Sequence, residues 1–286
     1  MREDTYFNGK FGRREEITIP LSDRSLYFGD AVYDAAIGKN RKIFCLAEHV
    51  DRLYRSARKI GIVPRVEKEE LTRLLSAMTE ECDAPFFLYF QFSRSAQGAR
   101  SHAYPDDAGC NLLILRDPIA PPDYKVPISL ITAEDLRYAY CDVKTVNLLP
   151  AVLASKRAAM AGADEAVFHR GAVVTECAHS NIAILKDGVL LTHPLDCRIL
   201  GGISRRHLLA AAGRLGVPVA ERAFTLRELF AADEILVTSA SKICRRAARL
   251  DGEAVGMKDT DLALRLCREM FGEWEVVKNM IANQSL

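Results

Sequence analysis

The sequence predicts a mixed α+β fold in two domains, and three observations carry that expectation. Its 286 residues exceed one average domain and fall short of two large ones. Short strand-like runs alternate irregularly with segments of helical periodicity, so neither a regular βαβ array nor a barrel of eight units fits. The segment Asp117-Pro118-Ile119-Ala120-Pro121-Pro122-Asp123 breaks the pattern, because closely spaced prolines exclude both helix and central strand. A small N-terminal α+β domain over 1–117, a linker over 118–123 and a larger mixed C-terminal domain over 124–286 follow.

The first 45 residues read as an antiparallel meander. Thr5-Tyr6-Phe7 runs into an Asn8-Gly9 turn, Ile17-Thr18-Ile19 follows, and Ala31 to Ile37 leads through Gly38-Lys39-Asn40 to Ile43-Phe44. Leu46, Val50, Leu53, Ala57 and Ile60 recur at helical spacing until Gly61, and Leu71, Leu74, Leu75 and Met78 mark a second helix. Strands at Phe86 to Ser93 and Asn111 to Leu115 close this domain.

Beyond the prolines the sequence predicts a strand at Val126 to Ile131 and a helix at Leu149 to Ala161. Further strands follow at Glu165 to Phe168, Val173-Val174 and Ile182 to Leu185, the last ending at an Asp187-Gly188 turn. Ser204 reads as the cap of a helix that ends at Gly216, and Thr225-Leu226-Arg227-Glu228 as a capping box. A strand at Ile235 to Thr238 comes directly after.

Composition narrows the function classes. Apolar residues make up 49% and charged ones 27%, as in an ordinary globular protein. A net charge of +1 from 39 basic and 38 acidic residues offers no basic face for nucleic acid. The N-terminus Met1-Arg2-Glu3-Asp4 is charged, and no apolar run has the length of a signal or membrane segment, so a cytoplasmic protein without a membrane partner is expected. The eight cysteines are scattered without metal-ligand spacing, which argues for reduced thiols and no metal.

Four segments carry chemistry. Lys144 sits in the largely apolar Cys141-Asp142-Val143-Lys144-Thr145-Val146-Asn147-Leu148-Leu149, where desolvation favours the neutral amine, the form that attacks an aldehyde. Alone, such a lysine could equally snorkel from an apolar surface. Glu176, in Val174-Thr175-Glu176-Cys177-Ala178-His179-Ser180-Asn181 between two predicted strands, could hold a ring nitrogen protonated or simply be a solvated loop residue. Leu200-Gly201-Gly202-Ile203-Ser204-Arg205 places two glycines before a helix N-terminus, an arrangement suited to phosphate. Thr238-Ser239-Ala240-Ser241 could form a second cup of hydroxyls and amides. Each is also an ordinary helix entry or turn.

In this order and spacing the segments resemble the fold-type IV family of pyridoxal-phosphate enzymes, and within it the bacterial D-amino-acid transaminases. The likeness runs from Phe28-Gly29-Asp30-Ala31-Val32-Tyr33 through Glu48-His49-Val50-Asp51-Arg52-Leu53, Tyr89-Phe90-Gln91 and Asp142-Val143-Lys144 to Thr175-Glu176, Gly202-Ile203-Ser204-Arg205 and Val237-Thr238-Ser239.

The resemblance implies a two-domain fold-type IV architecture with the cofactor, pyridoxal 5'-phosphate, at the domain interface. It makes Lys144 the Schiff-base lysine and proton carrier, Glu176 the partner of the pyridine nitrogen, and Arg52 a phosphate ligand. It also packs Leu200 on the ring and places Ile203, Ser204, Ser239 and Ala240 around the phosphate.

Tyr33, Arg100 and His102 would trap the substrate α-carboxylate, the loop of the last two reaching in from the partner of a homodimer. Arginine suits that task because its planar fork matches a carboxylate. Placing the carboxylate decides which enantiomer turns its hydrogen toward Lys144. D-Alanine, D-glutamate and 2-oxo acids such as 2-oxoglutarate are the implied substrates of a ping-pong reaction.

Branched-chain L-amino-acid transaminase and aminodeoxychorismate lyase are the rivals within the family, and a non-catalytic cofactor-binding protein is the rival outside it. The sequence departs from the family pattern in places. The Arg94-to-Pro105 loop is one residue longer, Asp34 stands where glutamate is usual, Ala240 replaces a hydroxyl residue and Ser204 a threonine.

Overall fold

The computed structural model describes residues 4–276. The charged N-terminal residues 1–3, part of the expectation against a leader, lie outside them. The chain divides into two compact units, one of Met1–Pro121 with Val143–Asn147, the other of Pro122–Asp142 with Leu148–Leu286. Residues 143–147 thus belong to the first unit although they follow the proline-rich segment.

The first unit contains β1 (Thr5–Phe7), β2 (Lys10–Gly12), α1 (Ser25–Phe28), β3 (Ala31–Lys39), β4 (Lys42–Ile43), α2 (Leu46–Lys59), α3 (Lys68–Ala77), β5 (Phe86–Ser95) and β6 (Gly109–Pro118). Its antiparallel sheet has the order β2-β1-β6-β5-β3-β4. The expected meander is therefore broken: β1 pairs with β6, and β3 pairs with β5. Asn8 and Gly9, with φ of 45° and 95°, make the tight turn of the first hairpin.

Ile17 to Ile19 form no strand. The hairpin partner of β1 is Lys10–Gly12 and its other edge is taken by β6, and Pro20, which follows, has no N–H to give to a ladder. The helices lie where the periodicity placed them. Val50, Leu53 and Ala57 of α2 and Leu71 and Leu75 of α3 are buried in one cluster with Val32, Ala36, Leu88, Phe90, Phe92 and Ile114 of the sheet. Such a side chain contributes about 1.5–3 kcal/mol on full burial.

Gly38 is required by packing: a Cβ there would lie 2.1 Å from Cζ of Phe86, its antiparallel partner. Val143 also belongs to this core. Its burial holds residues 143–147 beside β3, where Thr145 bridges Val32 in antiparallel register.

The second unit contains β7 (Ile128–Glu134), α4 (Leu149–Met160), β8 (Glu165–Arg170), β9 (Val173–Cys177), β10 (Asn181–Lys186), β11 (Val189–Thr192), α5 (Ile203–Arg214), β12 (Val219–Glu221), β13 (Phe224–Thr225), α6 (Leu226–Phe230), β14 (Glu234–Thr238), β15 (Arg245–Leu250), β16 (Glu253–Ala254) and α7 (Thr260–Val276). Its mixed sheet has the order β12-β11-β10-β14-β15-β7-β8-β9-β13, with β16 paired to β15. Two buried clusters support it. One is rich in Ile, Leu and Val, and the other packs Ala151, Ala154 and Ala158 of α4 against Ala166 and Phe168 of β8.

Two details differ from expectation. Glu176 lies inside β9, and it is buried, because the strand runs on to Cys177. Ser204 is the second residue of α5, whose N-cap is Gly202, since the Ser204 hydroxyl is spent on a distant carbonyl. The capping box at Thr225 forms as read: its hydroxyl accepts the Glu228 N–H at 3.2 Å, and the Glu228 carboxylate accepts the Thr225 N–H at 2.8 Å. All eight cysteines are free. Among the described residues no helix is long and apolar enough to cross a membrane.

Candidate active site

Lys144 is positioned by its own backbone. Its carbonyl accepts the Tyr33 N–H at 2.9 Å, its N–H donates to the Ser56 hydroxyl at 3.3 Å, and the Val146 N–H donates to the Ala31 carbonyl at 3.2 Å. The amine stands 4.3 Å from the Tyr33 ring centroid. The residue is half-buried, and among the described residues no carboxylate lies within ion-pair distance of it. Tyr33 itself stacks on Tyr89 at 5.1 Å.

Beside Tyr33 the chain turns to the other face of β3 and buries a charged network that the sequence reading missed. Asp34 has no exposed side-chain surface, and it accepts from Arg52 at both oxygens at 2.8 Å and from His49 Nδ1 at 2.7 Å. Burial alone would raise the Asp34 carboxyl, but the Arg52 guanidinium and His49 hold it well below the usual carboxylate range. Burial pushes the His49 imidazole down, with Asp34 pulling the other way. Arg52, expected at a phosphate, thus has one edge of its fork on Asp34. A signal was available: a lone carboxylate inside the apolar run 31–37, with His49 and Arg52 three apart on one helix face.

Arg100 and His102 are exposed and meet on one residue. The Arg100 guanidinium lies 4.5 Å from the Phe28 ring centroid, and the His102 ring lies 5.1 Å from it. Arg24, also unforeseen, grips their loop by donating to the carbonyls of Ser101 at 2.7 Å and His102 at 2.9 Å. Among the described residues no hydrogen bond or ring contact joins Arg100 or His102 to Tyr33.

In the second unit three N–H donors converge on the buried Glu176 carboxylate. Arg137 Nη1 donates to Oε1 at 2.5 Å, while the Asn181 amide at 2.9 Å and the Leu200 backbone N–H at 3.0 Å donate to Oε2. Arg137 also forks onto Asp135 at 2.9 and 3.0 Å. Burial opposes its charge, but hydrogen bonding to Asp135 and the charge of Glu176 raise the guanidinium above its ordinary value. The arrangement suits an ionised carboxylate on a rigid strand. Neither Arg137 nor Asn181 was foreseen, because nothing local in the sequence links them to Glu176.

The expected phosphate-binding segments come together. The Ser204 hydroxyl donates to the Ser239 carbonyl at 2.9 Å, and the Ser239 hydroxyl accepts the Lys242 N–H at 3.1 Å and contacts the Ser241 hydroxyl at 3.4 Å. Ile203 and Ser204 are buried, whereas Ser239 and Ala240 are half-buried. The entry to α5 also lies close to the Glu176 strand. A Cβ on Gly202 would sit 1.9 Å from Asn181 Oδ1, and Asn181 donates to the Leu200 carbonyl at 2.8 Å.

Comparison with known proteins agrees with this inventory. The model of the amino-transferase class IV family matches residues 31–250. The D-alanine aminotransferase of Listeria monocytogenes serotype 4b (strain F2365) is 41% identical over 253 residues, 87% of this chain and 88% of that protein. The D-alanine aminotransferase of Staphylococcus epidermidis (strain ATCC 12228) is 35% identical over 254 residues, 87% and 90% of the two chains.

Among solved structures, the branched-chain aminotransferase of the archaeon Thermoproteus uzoniensis with norvaline gives a TM-score of 0.82 at 23% identity, covering 96% of this chain and 94% of that one. That of Escherichia coli gives 0.81 at 22%, covering 95% and 94%. These structures share the fold. Since the family model spans most of the sequence and relatives align along nearly all of it, the chain belongs to the class IV aminotransferases.

Proposed function

We propose that this protein is a pyridoxal-phosphate-dependent transaminase that moves the amino group of D-alanine or a similar D-amino acid to a 2-oxo acid such as 2-oxoglutarate. The observation that carries the reading is the setting of Lys144: an amine fixed by backbone hydrogen bonds and resting on Tyr33, with no carboxylate in reach among the described residues. The relatives named D-alanine aminotransferase support the choice of enantiomer.

When bound, the cofactor supplies an aldehyde for the amino group and a cationic ring that accepts the electron pair left as the Cα proton departs. The residues present fit such a group. Glu176, oriented by Arg137, Asn181 and Leu200, is a buried anion for the ring nitrogen. Backbone N–H groups opening α5 at Ile203 and Ser204, with Ser239 and Ala240, offer donors for phosphate. Arg52 would add positive charge there, aimed by Asp34. Leu200 would pack on the ring.

Lys144 Nζ removes the substrate Cα proton and returns it as a general acid, and it can do so only on the face where it lies. Tyr33, Arg100 and His102 bind the substrate carboxylate. Within one chain the last two rest on Phe28, and the reading includes a homodimer in which their loop serves the neighbouring copy. Operation in the cytoplasm is part of the same reading.

The test is a visible spectrum of the purified protein before and after D-alanine, with pyruvate assayed in the presence of 2-oxoglutarate. Loss of the visible Schiff-base absorbance and formation of pyruvate are expected from D-alanine, and no turnover of L-leucine. A protein that stays colourless with excess pyridoxal phosphate, or that turns over L-leucine alone, would overturn the proposal.

A further inference from the structure

The turn after β14 is fixed by a side chain outside the residues assigned above. Lys242 crosses from this turn to β8, where its ammonium donates to Glu165 Oε2 and, at 2.9 Å, to His179 Nε2. Glu165 has no exposed side-chain surface. Its oxygens also accept the His179 backbone N–H at 3.0 Å and the Ser180 hydroxyl at 2.9 Å, and His179 Nδ1 lies 3.2 Å away. Because the ammonium donates to Nε2, His179 carries its proton on Nδ1 and faces Glu165 as a neutral donor. Lys242 is then the cation that neutralises a fully buried carboxylate, and it cannot swing away without leaving that charge unpaired.

The same residue is bound into the phosphate-binding segments through its main chain. Its N–H donates to the Ser239 hydroxyl, whose carbonyl accepts from both the Ile243 N–H at 2.8 Å and the Ser204 hydroxyl at 2.9 Å. The next residue, Ile243, has φ of 56°. A β-branched residue in the left-handed region is strained and persists only where its surroundings over-determine it.

We propose that Lys242 is a positioning residue for the cofactor's phosphate: by strapping the 239–243 turn to Glu165 and to the His179-Ser180 turn, it fixes the donors of Ser239 and Ala240. This inference rests on the reading of the protein as a pyridoxal-phosphate enzyme. It gives a role to a lysine that turns toward the protein, beside a position, Ala240, that has no hydroxyl of its own.

The experiment compares pyridoxal phosphate with pyridoxal, which lacks the phosphate, in spectroscopic titrations of the full-length apoprotein. Lys242→Met is expected to weaken pyridoxal phosphate binding by about tenfold, the size of one or two lost hydrogen bonds. Pyridoxal affinity should be unchanged, and Lys242→Arg should restore most of the loss. Because Lys242→Met alone strands a buried carboxylate, Lys242→Met with Glu165→Gln keeps the cluster neutral and should show the same selective loss. Equal weakening of both aldehydes, or no weakening in the double variant, would overturn the inference while leaving the cofactor assignment intact. Native protein that bound neither aldehyde would overturn both.

Discussion

Asp34 and Arg52 face each other through two hydrogen bonds of 2.8 Å, with the carboxylate wholly buried. This pair ties β3, which carries Tyr33, to α2. The carboxylate repays its desolvation only because the fork is bidentate and His49 fills a further site on Oδ1. Asp34→Ala therefore leaves a buried guanidinium without this partner, and a loss of about 3–5 kcal/mol in unfolding free energy is expected. Denaturant titration measures it, and a variant as stable as the native protein would contradict this account.

The same network fixes an acid limit. Burial holds the His49 imidazole down, so the unfolded chain binds its proton first as pH falls. A histidine depressed in the folded state contributes stability above its unfolded value of about 6.5 and loses it below. Asp34, also depressed, adds a second loss through the carboxylate range, below about pH 4. Unfolding free energy should hence fall from pH 7 to pH 5, and His49→Gln should flatten that slope. An unchanged slope in the variant would remove His49 as its origin.

How much of this was legible beforehand follows from the range of the interactions. The α2 helix, the Thr225 capping box and the Asn8-Gly9 turn were readable because their signals lie within a few residues. Lys144, Glu176, Ser204 and Ser239 were singled out by motif order, whereas Arg137, Asn181 and Lys242, which hydrogen-bond to the segments around them, were not. Arg137 is 39 residues from Glu176, and Lys242 is 77 from Glu165; only strand pairing brings them together. β15, Arg245–Leu250, was missed because Arg-Arg-Ala-Ala-Arg-Leu lacks the β-branched residues that mark a strand. The supposed strand at Ile17 to Ile19 has those residues and yet pairs with no strand among the described residues. Propensity could not supply the missing neighbour.

Lys144→Ala separates covalent attachment from binding. Its backbone bonds to Tyr33 and Ser56 do not involve the side chain, so the variant should fold with an unchanged melting temperature. The visible Schiff-base absorbance and transamination should both vanish. A Lys144→Ala protein with native turnover would assign the proton transfer elsewhere.

Arg137 bridges two carboxylates, Asp135 and Glu176, and donates to Oε1 of the latter. Arg137→Met should leave Asp135 with Arg170 at 3.2 Å as its remaining cation, and should free Glu176 to rotate about the Asn181 and Leu200 donors. A stability loss of about 3–5 kcal/mol is expected from the buried pair. The absorbance maximum of the bound cofactor should shift as the ring nitrogen loses a fixed anion. A spectrum identical to the native one would show that Glu176 is oriented without Arg137.

Arg100 offers the clearest test of the substrate trap, because its guanidinium stacks on Phe28 at 4.5 Å and its loop is held through the neighbouring carbonyls by Arg24. Removing the side chain should leave the loop in place, so any kinetic effect belongs to the guanidinium. A carboxylate that loses a charge-assisted bidentate partner forfeits about 1.5–3 kcal/mol, which predicts KM for D-alanine and for 2-oxoglutarate raised by about ten- to a hundredfold in Arg100→Ala. Truncating Arg24 instead should release the loop and impair kcat and KM together. Arg100→Ala with both KM values unchanged would take this residue out of carboxylate recognition and leave it as a cation resting on an aromatic ring.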